Sequence, residues 1–269
     1  MAEKVDLYNS AYGNYGAEVY RQIRLETYGE DLGQTSWVTT EESAEIVRML
    51  GLSKASYVLE IGSGSGRYAL QVAGTTGCRL LGVDINASGV QNANQLAAAE
   101  KMSERVRFEK CDASQPLPFA DAAFDAVFSN DVLCHIPGRP SLFRELFRVL
   151  KQGGRLLLSD ALVIGGVISH QEIANRSSIG YFLFSPPGKN ERMLQDAGFL
   201  VVEVRDTTAN AALISKRWRD ARAKRAQALV GIEGQANFEG LQQFLFTVHT
   251  LTSERRLLRL LYAAHKPGA

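Results

Sequence analysis

The residues best placed to do chemistry begin with a carboxylate followed by three alternating glycines, Glu60-Ile61-Gly62-Ser63-Gly64-Ser65-Gly66. Glycine has no Cβ, so such a loop turns tightly and lets its backbone approach a ligand closely. The spacing departs from two common phosphate-binding designs. A dinucleotide fingerprint needs its third glycine at position 67, which is Arg, and a P-loop needs Lys-Ser/Thr after the last glycine. Glu60 also aims negative charge at the loop, which is awkward for a pyrophosphate and suits a cationic ligand. Two further acids follow: Asp84 closes Leu80-Leu81-Gly82-Val83-Asp84, and Asp112 follows Cys111. An acid at Asp84 can accept from both hydroxyls of a ribose. Ile85 can press on an adenine face, and the Asp112 carboxylate can accept from its amino group. Each acid alone would read as a helix cap or a surface charge. Three of them at successive strand ends, beside a glycine loop, point to a nucleoside pocket.

Such a pocket requires elements that bring those strand ends together, and the pattern supplies them. Short apolar runs at Tyr57–Ile61, Arg79–Asp84, Val106–Glu109, Phe124–Ser129 and Arg155–Ser159 read as strands. Between them lie helical stretches at Arg67–Ala73, Val90–Lys101 and Pro140–Leu150, the last stopped by Gly153-Gly154. Thr39 and Glu42 form a capping-box signature for an earlier helix that Gly51 closes. Strand–helix alternation predicts βαβ units: an α/β fold with a mainly parallel sheet and helices on both faces. Beyond Asp160 the pattern loosens into helices at Ser169–Tyr181 and Asn190–Ala197, a strand at Leu200–Val204, two long helical stretches at Ala209–Leu229 and Phe238–Thr250, and a final strand at Arg256–Ala264.

The glycine segment, Val83-Asp84-Ile85-Asn86, Cys111-Asp112-Ala113, the run from Phe124 to Pro137 and the run from Arg148 to Asp160 together resemble the class I S-adenosylmethionine-dependent methyltransferases. The resemblance spans roughly residues 35–205. It implies a Rossmann-like, seven-stranded sheet whose last strand is antiparallel, and S-adenosylmethionine as cofactor with S-adenosylhomocysteine as product. It further implies that Glu60, Gly62, Ser63, Gly64 and Gly66 approach the cofactor, that Asp84 and Ile85 hold its ribose and adenine, that Asp112 and Ala113 border the adenine, and that Asn130 and Asp131 lie beside it. Within the family the chain is similar to small-molecule enzymes: sugar and natural-product O-methyltransferases, and sarcosine, dimethylglycine and phosphoethanolamine N-methyltransferases. That likeness implies an N-terminal helical arm or lid (1–38), a cofactor-binding core (39–206), a helical insert over the acceptor pocket (207–252) and a closing strand (253–269).

A hydroxyl acceptor must lose a proton to a nearby base. His135, five residues beyond Asn130, is the first choice, because related sugar O-methyltransferases carry histidine in this segment. Asp160, at the end of the neighbouring strand, is expected to orient its ring. Some relatives have two adjacent histidines here; this chain has Cys134 at the first of them, and His135 as a packing residue is the competing reading. Tyr28, Gln34 and Trp37 in the arm, and His170 and Tyr181 after Asp160, are candidate acceptor contacts, with simple packing or surface placement as the alternative.

Composition narrows the partners. The 269 residues carry Lys+Arg 30 against Asp+Glu 29, a formal charge of +1, so binding nucleic acid or an anionic membrane as the main task is not expected. The basic run Lys216, Arg217, Arg219, Arg222, Lys224 and Arg225 keeps open a nucleic-acid or protein methyltransferase that uses this helix as its grip, though a solvated face is commoner. A non-methylating protein of the same fold is a further alternative. Three cysteines without metal-ligand spacing and a polar first ten residues fit a reduced, cytoplasmic location and no metal. The expectation is a cytoplasmic methyltransferase acting on a small molecule, in an oligomeric state the sequence leaves open.

Overall fold

A computed structural model of the chain describes residues 5–33 and 35–268. Its centre is one seven-stranded sheet in the order β3-β2-β1-β4-β5-β7-β6. The strands are β1 (Tyr57–Ile61), β2 (Arg79–Asp84), β3 (Val106–Lys110), β4 (Phe124–Ser129), β5 (Leu150–Ile164), β6 (Leu200–Asp206) and β7 (Leu257–His265). The first five pair in parallel, and β7 lies antiparallel between β5 and β6. The chain winds outward from β1 through β2 to β3, then returns to β4 on the other side of β1. That reversal opens a crevice at the carboxyl ends of β1 and β4, where open α/β sheets bind their ligands.

Period-two alternation along the strands feeds two cores, one on each face. Leu59, Ile61, Leu81, Val83, Val127 and Leu156 point to one face, where α6 (Arg139–Val149) and α8 (Lys189–Asp196) bring Leu142, Phe143, Leu146 and Leu194. Val58, Leu80, Ala126, Phe128 and Leu157 point to the other, covered by α3 (Thr40–Leu50), α4 (Arg67–Thr76) and α5 (Ala87–Ala99). Thr39 caps α3 by accepting from Glu42 N at 3.2 Å, and Gly51 ends it at φ 58°.

A third core joins the two ends of the chain. The N-terminal arm contains α1 (Tyr8–Gly13) and α2 (Glu18–Tyr28) and contributes Leu7, Tyr20, Ile23, Tyr28 and Trp37. The insert contributes Ile214, Trp218, Phe244 and Leu245. Three helices build that insert where the sequence pattern gave two: α9 (Thr208–Ala223), α10 (Ala226–Glu233) and α11 (Gln235–Ser253). The chain breaks after Ala223 and again at Gly234, whose φ of 80° cannot continue a helix. Two other bounds differ from expectation. β5 runs from Leu150 to Ile164, well past Arg155–Ser159, because β7 pairs along its far half. The helix expected over Ser169–Tyr181 ends sooner, as α7 (His170–Arg176), and residues 177–185 turn back toward the crevice.

Candidate active site

The glycine loop leaves β1 and opens α4. Gly62 N and Ser63 N donate to Val83 O at 2.7 and 3.0 Å, which ties the loop to the end of β2. Gly62 has φ 76°, and a Cβ there would collide with Val132. Gly66, at φ 77°, would drive a Cβ to 2.5 Å from Ala93 and 2.7 Å from Phe108. The early third glycine is therefore a packing requirement of the turn into α4 against α5 and β3. Asp84 accepts from Gly64 N and Asn86 N, each at 2.8 Å, which fixes its carboxylate at the crevice wall. Burial raises its pKa above the ordinary carboxylate value, against the lowering effect of those backbone bonds.

The crevice is a cavity of about 580 Å³, within the range of small-molecule and cofactor sites. Its nucleoside-like end is lined by Glu60, Gly62, Ser63, Gly64, Asp84, Ile85, Asp112, Ala113 and Asn130. Ile85 is 63% exposed, an apolar side chain presented to the cavity where a flat ring would cover it. Three buried polar atoms along this wall have no partner among the described residues: Glu60 Oε2, Ser63 Oγ and Asn130 Oδ1. Unsatisfied buried groups are costly, and in native proteins each calls for a ligand, water or ion to complete it. Burial, with the nearby Asp84 charge, pushes the Glu60 carboxyl well above its usual range, a state that a cationic group would reverse. Acceptors, donors and an apolar platform in this order fit a nucleoside bearing a positively charged tail.

At the opposite end stands His135, on a single 3-10 turn after β4. Its Nδ1 lies 3.1 Å from Tyr181 O and its Nε2 lies 2.9 Å from the Tyr8 hydroxyl. A carbonyl oxygen can only accept, so Nδ1 carries the proton and Nε2 of the neutral ring accepts from Tyr8. Burial, ahead of the charges of Arg176 and Arg139, pushes the His135 pKa down to about 4 from 6.5. The base is thus unprotonated at neutral pH. Turnover that depends on it is expected to hold as pH falls through 6.5 and to fail only near 4, where the ring protonates. A pH profile of kcat checks this, and an acid limb centred near 6.5 would contradict it.

Other sequence candidates sit elsewhere. Asp160 is fully buried and does not bond to His135; it accepts from Arg139 Nη1 at 2.7 Å, Asn190 Nδ2 at 2.8 Å and Leu162 N at 3.0 Å. Its influence on the histidine runs through Arg139, which donates to Leu133 O in the His135 turn and to Leu183 O behind it. Tyr28 and Trp37 belong to the third core: Tyr28 donates to Ser36 O, and Trp37 packs on Trp218 and Phe244. His170 is exposed at the start of α7, away from the cavity. Tyr181 lines the cavity, and Gln34 lies outside the described residues. Asp131 also lines the cavity, at φ 60°, and its carboxylate is already engaged by Arg259 Nε at 2.8 Å, Trp37 N at 2.9 Å and Ser159 Oγ at 3.1 Å. Cys134 is buried, and burial pushes its thiol well up, so it is no nucleophile. Tyr8 carries no local sign of its role, because its histidine partner lies 127 residues away.

The basic run of α9 is held in internal ion pairs. Lys216 and Arg219 meet Asp220, Arg222 meets Glu233, and Lys224 and Arg225 meet Glu26. Among the described residues no group of three or more His, Cys, Asp or Glu is placed to hold a metal, and no helix is long and apolar enough to cross a membrane.

A family model described as a methyltransferase domain matches residues 59–158, from β1 through the first half of β5. The chain carries a methyltransferase domain. Its neighbours among solved structures include S-adenosylmethionine-dependent methyltransferases, in line with the resemblance carried by the glycine loop and strand-end acids. The methyltransferase is 28% identical over 233 residues to the 27-O-demethylrifamycin SV methyltransferase of Amycolatopsis mediterranei, covering 82% of this chain and 83% of that protein. It is 30% identical over 233 residues to phosphoethanolamine N-methyltransferase 1 of Triticum aestivum, covering 87% of this chain but 45% of that longer protein. Among solved structures, phosphoethanolamine N-methyltransferase 2 of Haemonchus contortus superposes with a TM-score of 0.81 at 25% identity, over 96% of this chain and 59% of that one. That structure holds phosphomonomethylethanolamine and S-adenosylhomocysteine.

Proposed function

We propose that this methyltransferase transfers the methyl group of S-adenosylmethionine to a hydroxyl of a small organic molecule. The observation that carries the reading is one continuous cavity, with partnerless Glu60, Ser63 and Asn130 at one end and a proton-free histidine nitrogen at the other. Glu60, Ser63 and the glycine loop would hold the charged tail of the cofactor, Asp84 its ribose, and Ile85 with Asp112 and Ala113 its adenine. When bound, the cofactor supplies an electrophilic methyl group on a sulfonium.

Everything else falls to the chain. Tyr12 and Gly33 of the arm lie against the loop and line the cavity; Ser65 Oγ donates to Gly33 O at 2.8 Å and Asn92 Nδ2 to Tyr12 O at 2.7 Å. An arm seated this way keeps water from the reacting atoms and holds the acceptor in line, where positioning alone can lower a barrier by about 7–11 kcal/mol. Tyr8 donates to His135 Nε2 and keeps its oxygen lone pairs for an acceptor hydroxyl. Burial holds the Tyr8 pKa well above 10.0, so Tyr8 passes a proton on and does not part with one outright. The acceptor proton would pass to the Tyr8 oxygen as the Tyr8 proton passes to Nε2, leaving an electron pair on the acceptor oxygen for the transferred methyl, whose former bonding pair would stay with the sulfonium sulfur. An amine acceptor would need no such base, since its free form already carries a lone pair.

Asp84→Ala is expected to weaken S-adenosylhomocysteine binding by about 1.5–3 kcal/mol, the range for hydrogen bonds to a charged group. The fold should persist, because the side chain sits at a strand end. Calorimetry on the folded variant decides; unchanged affinity would remove Asp84 from the site. The acceptor atom is tested by offering isotope-labelled S-adenosylmethionine with paired hydroxyl and amine compounds. Label on oxygen supports the reading, and label on nitrogen alone would reverse it.

A further inference from the structure

We propose that the acceptor is an acidic hydroxyl, a phenol or an enol that the site takes up as its oxyanion, and that ammonium compounds are excluded. The proposal rests on the reading of the cavity as a methyl-transfer site and narrows its substrate class.

The first observation is an asymmetry of charge along the cavity. Glu60, Asp84 and Asp112 all stand at the nucleoside end. At the far end the walls are Ile136, Pro137, Ile179 and Tyr181, and the nearest carboxylate, Asp131, already accepts from three donors including a guanidinium. Among the described residues no unengaged carboxylate faces the acceptor. A cationic amine would enter there without a counter-charge.

The second observation is Arg176. It is 2% exposed, and its Nε and Nη1 have no partner among the described residues. Arg139, Arg222 and Arg259 are also buried, and each of them meets a carboxylate. Arg176 meets aromatic faces: its guanidinium carbon is 4.4 Å from the centre of the Phe182 ring and 5.1 Å from that of Phe244. The Phe182 ring in turn lies 4.4 Å from the His135 ring. Asp131 and Asp160 reach Arg176 only through space, without a hydrogen bond to its Nε or Nη1, and a buried cation held in that way is expensive to keep. Placed one ring behind the Tyr8–His135 pair, it sends positive potential into the acceptor end through a low-dielectric wall. Negative charge arriving on an acceptor oxygen would compensate it.

Both features also set how strong a base the site can be. Burial first, and then the charge of Arg176, oppose a proton on His135 against the pull of the Tyr181 carbonyl and Asp131, so the imidazole is a weak base for an alkanol. A phenol, with a pKa of about 10 in water, is within reach once the same positive potential favours its anion. The O–H bond breaks, its electron pair stays on oxygen, and the proton leaves by way of Tyr8 and Nε2.

The full chain loaded with S-adenosylhomocysteine is titrated with 4-nitrophenol, whose anion absorbs differently from its acid, and with 4-nitrobenzylammonium as the cationic counterpart. The phenol is expected to bind with its apparent pKa lowered by about one unit or more, and the ammonium probe to bind at least about tenfold more weakly. Arg176→Met should abolish the spectral shift and Arg176→Lys restore part of it. Should the Met variant not fold, the wild-type titrations alone decide. A phenol that does not bind, or binds and titrates as in water, or an ammonium probe that binds as tightly, overturns the proposal. Those failures leave the cofactor reading intact if S-adenosylhomocysteine still binds, whereas a chain that does not bind it has lost the underlying reading.

Discussion

His135→Ala is expected to lower turnover of a hydroxyl acceptor by about 10²–10⁴-fold, the usual contribution of a positioned base. The ring lies at the acceptor end, so S-adenosylhomocysteine affinity should stay within error of the wild type. Tyr8→Phe is the companion measurement. It keeps an aromatic ring packed at 5.6 Å against the imidazole and removes only the hydroxyl that connects Nε2 to the cavity. It should lower kcat by less than the alanine substitution, with KM little changed. Initial rates of S-adenosylhomocysteine release report both. Full turnover in folded His135→Ala would assign the ring to packing between Tyr8 and Phe182.

The largest effect on stability is expected at Arg259, near the start of β7. Its guanidinium donates to Asp131 Oδ1 at 2.8 Å, Glu42 Oε1 at 2.6 Å, Thr207 Oγ1 at 2.7 Å and Ser159 Oγ at 3.2 Å. These partners come from the corner after β4, from α3, from the start of the insert and from β5. Arg259→Met would leave two buried carboxylates without a counter-charge, and breaking one partner of a buried pair typically costs about 3–5 kcal/mol. Urea unfolding should show that loss. A variant within about 0.5 kcal/mol of wild type, the range of ordinary surface changes, would show that the cluster is solvated and not the clamp its distances describe. Asp131 is a non-glycine residue at φ 60°. Its engaged carboxylate is what keeps the corner carrying Asn130 and Val132 in that conformation.

Much of the fold is legible because strand and helix periods differ. Residues 57–61, 79–84 and 124–129 are strands in the structure with the bounds the apolar runs predict. Loss of legibility starts where contacts become distant. Nothing near Leu150–Lys151 or Ala161–Ile164 announces a strand; at the first end Leu150 pairs with Phe124 of β4, and at the second pairing with β7, about a hundred residues on, extends the strand. The break in the insert after Ala223 is likewise marked by no proline or glycine, and it falls in a helix that packs on the distant α2.

The candidate site divides the same way. Glycines and acids at strand ends are visible because backbone geometry dictates them locally. The acceptor end is assembled from side chains that only the fold brings together: Tyr8 from the arm, His135 after β4, and Arg176 and the Tyr181 carbonyl after β5. Asp160 looked like an orienter because β5 ends beside β4 in such sheets. The sequence could not show that Arg139 would occupy the space between. Tyr28 and Trp37 looked available because the arm was expected to cover the cavity, whereas their rings fill the core between arm and insert. The basic run of α9 looked like a grip because Glu26 and Glu233, which neutralise half of it, are distant in sequence.

If the crevice between the glycine loop and the ends of β1, β2 and β4 holds S-adenosylmethionine, calorimetric titration of the full chain with S-adenosylhomocysteine and, separately, with NADH shows it. The early third glycine, Arg67 in place of a glycine and the partnerless Glu60 predict one site for S-adenosylhomocysteine and negligible binding of NADH. Tighter binding of NADH than of the sulfur compound, or no heat from S-adenosylhomocysteine at all, would contradict it.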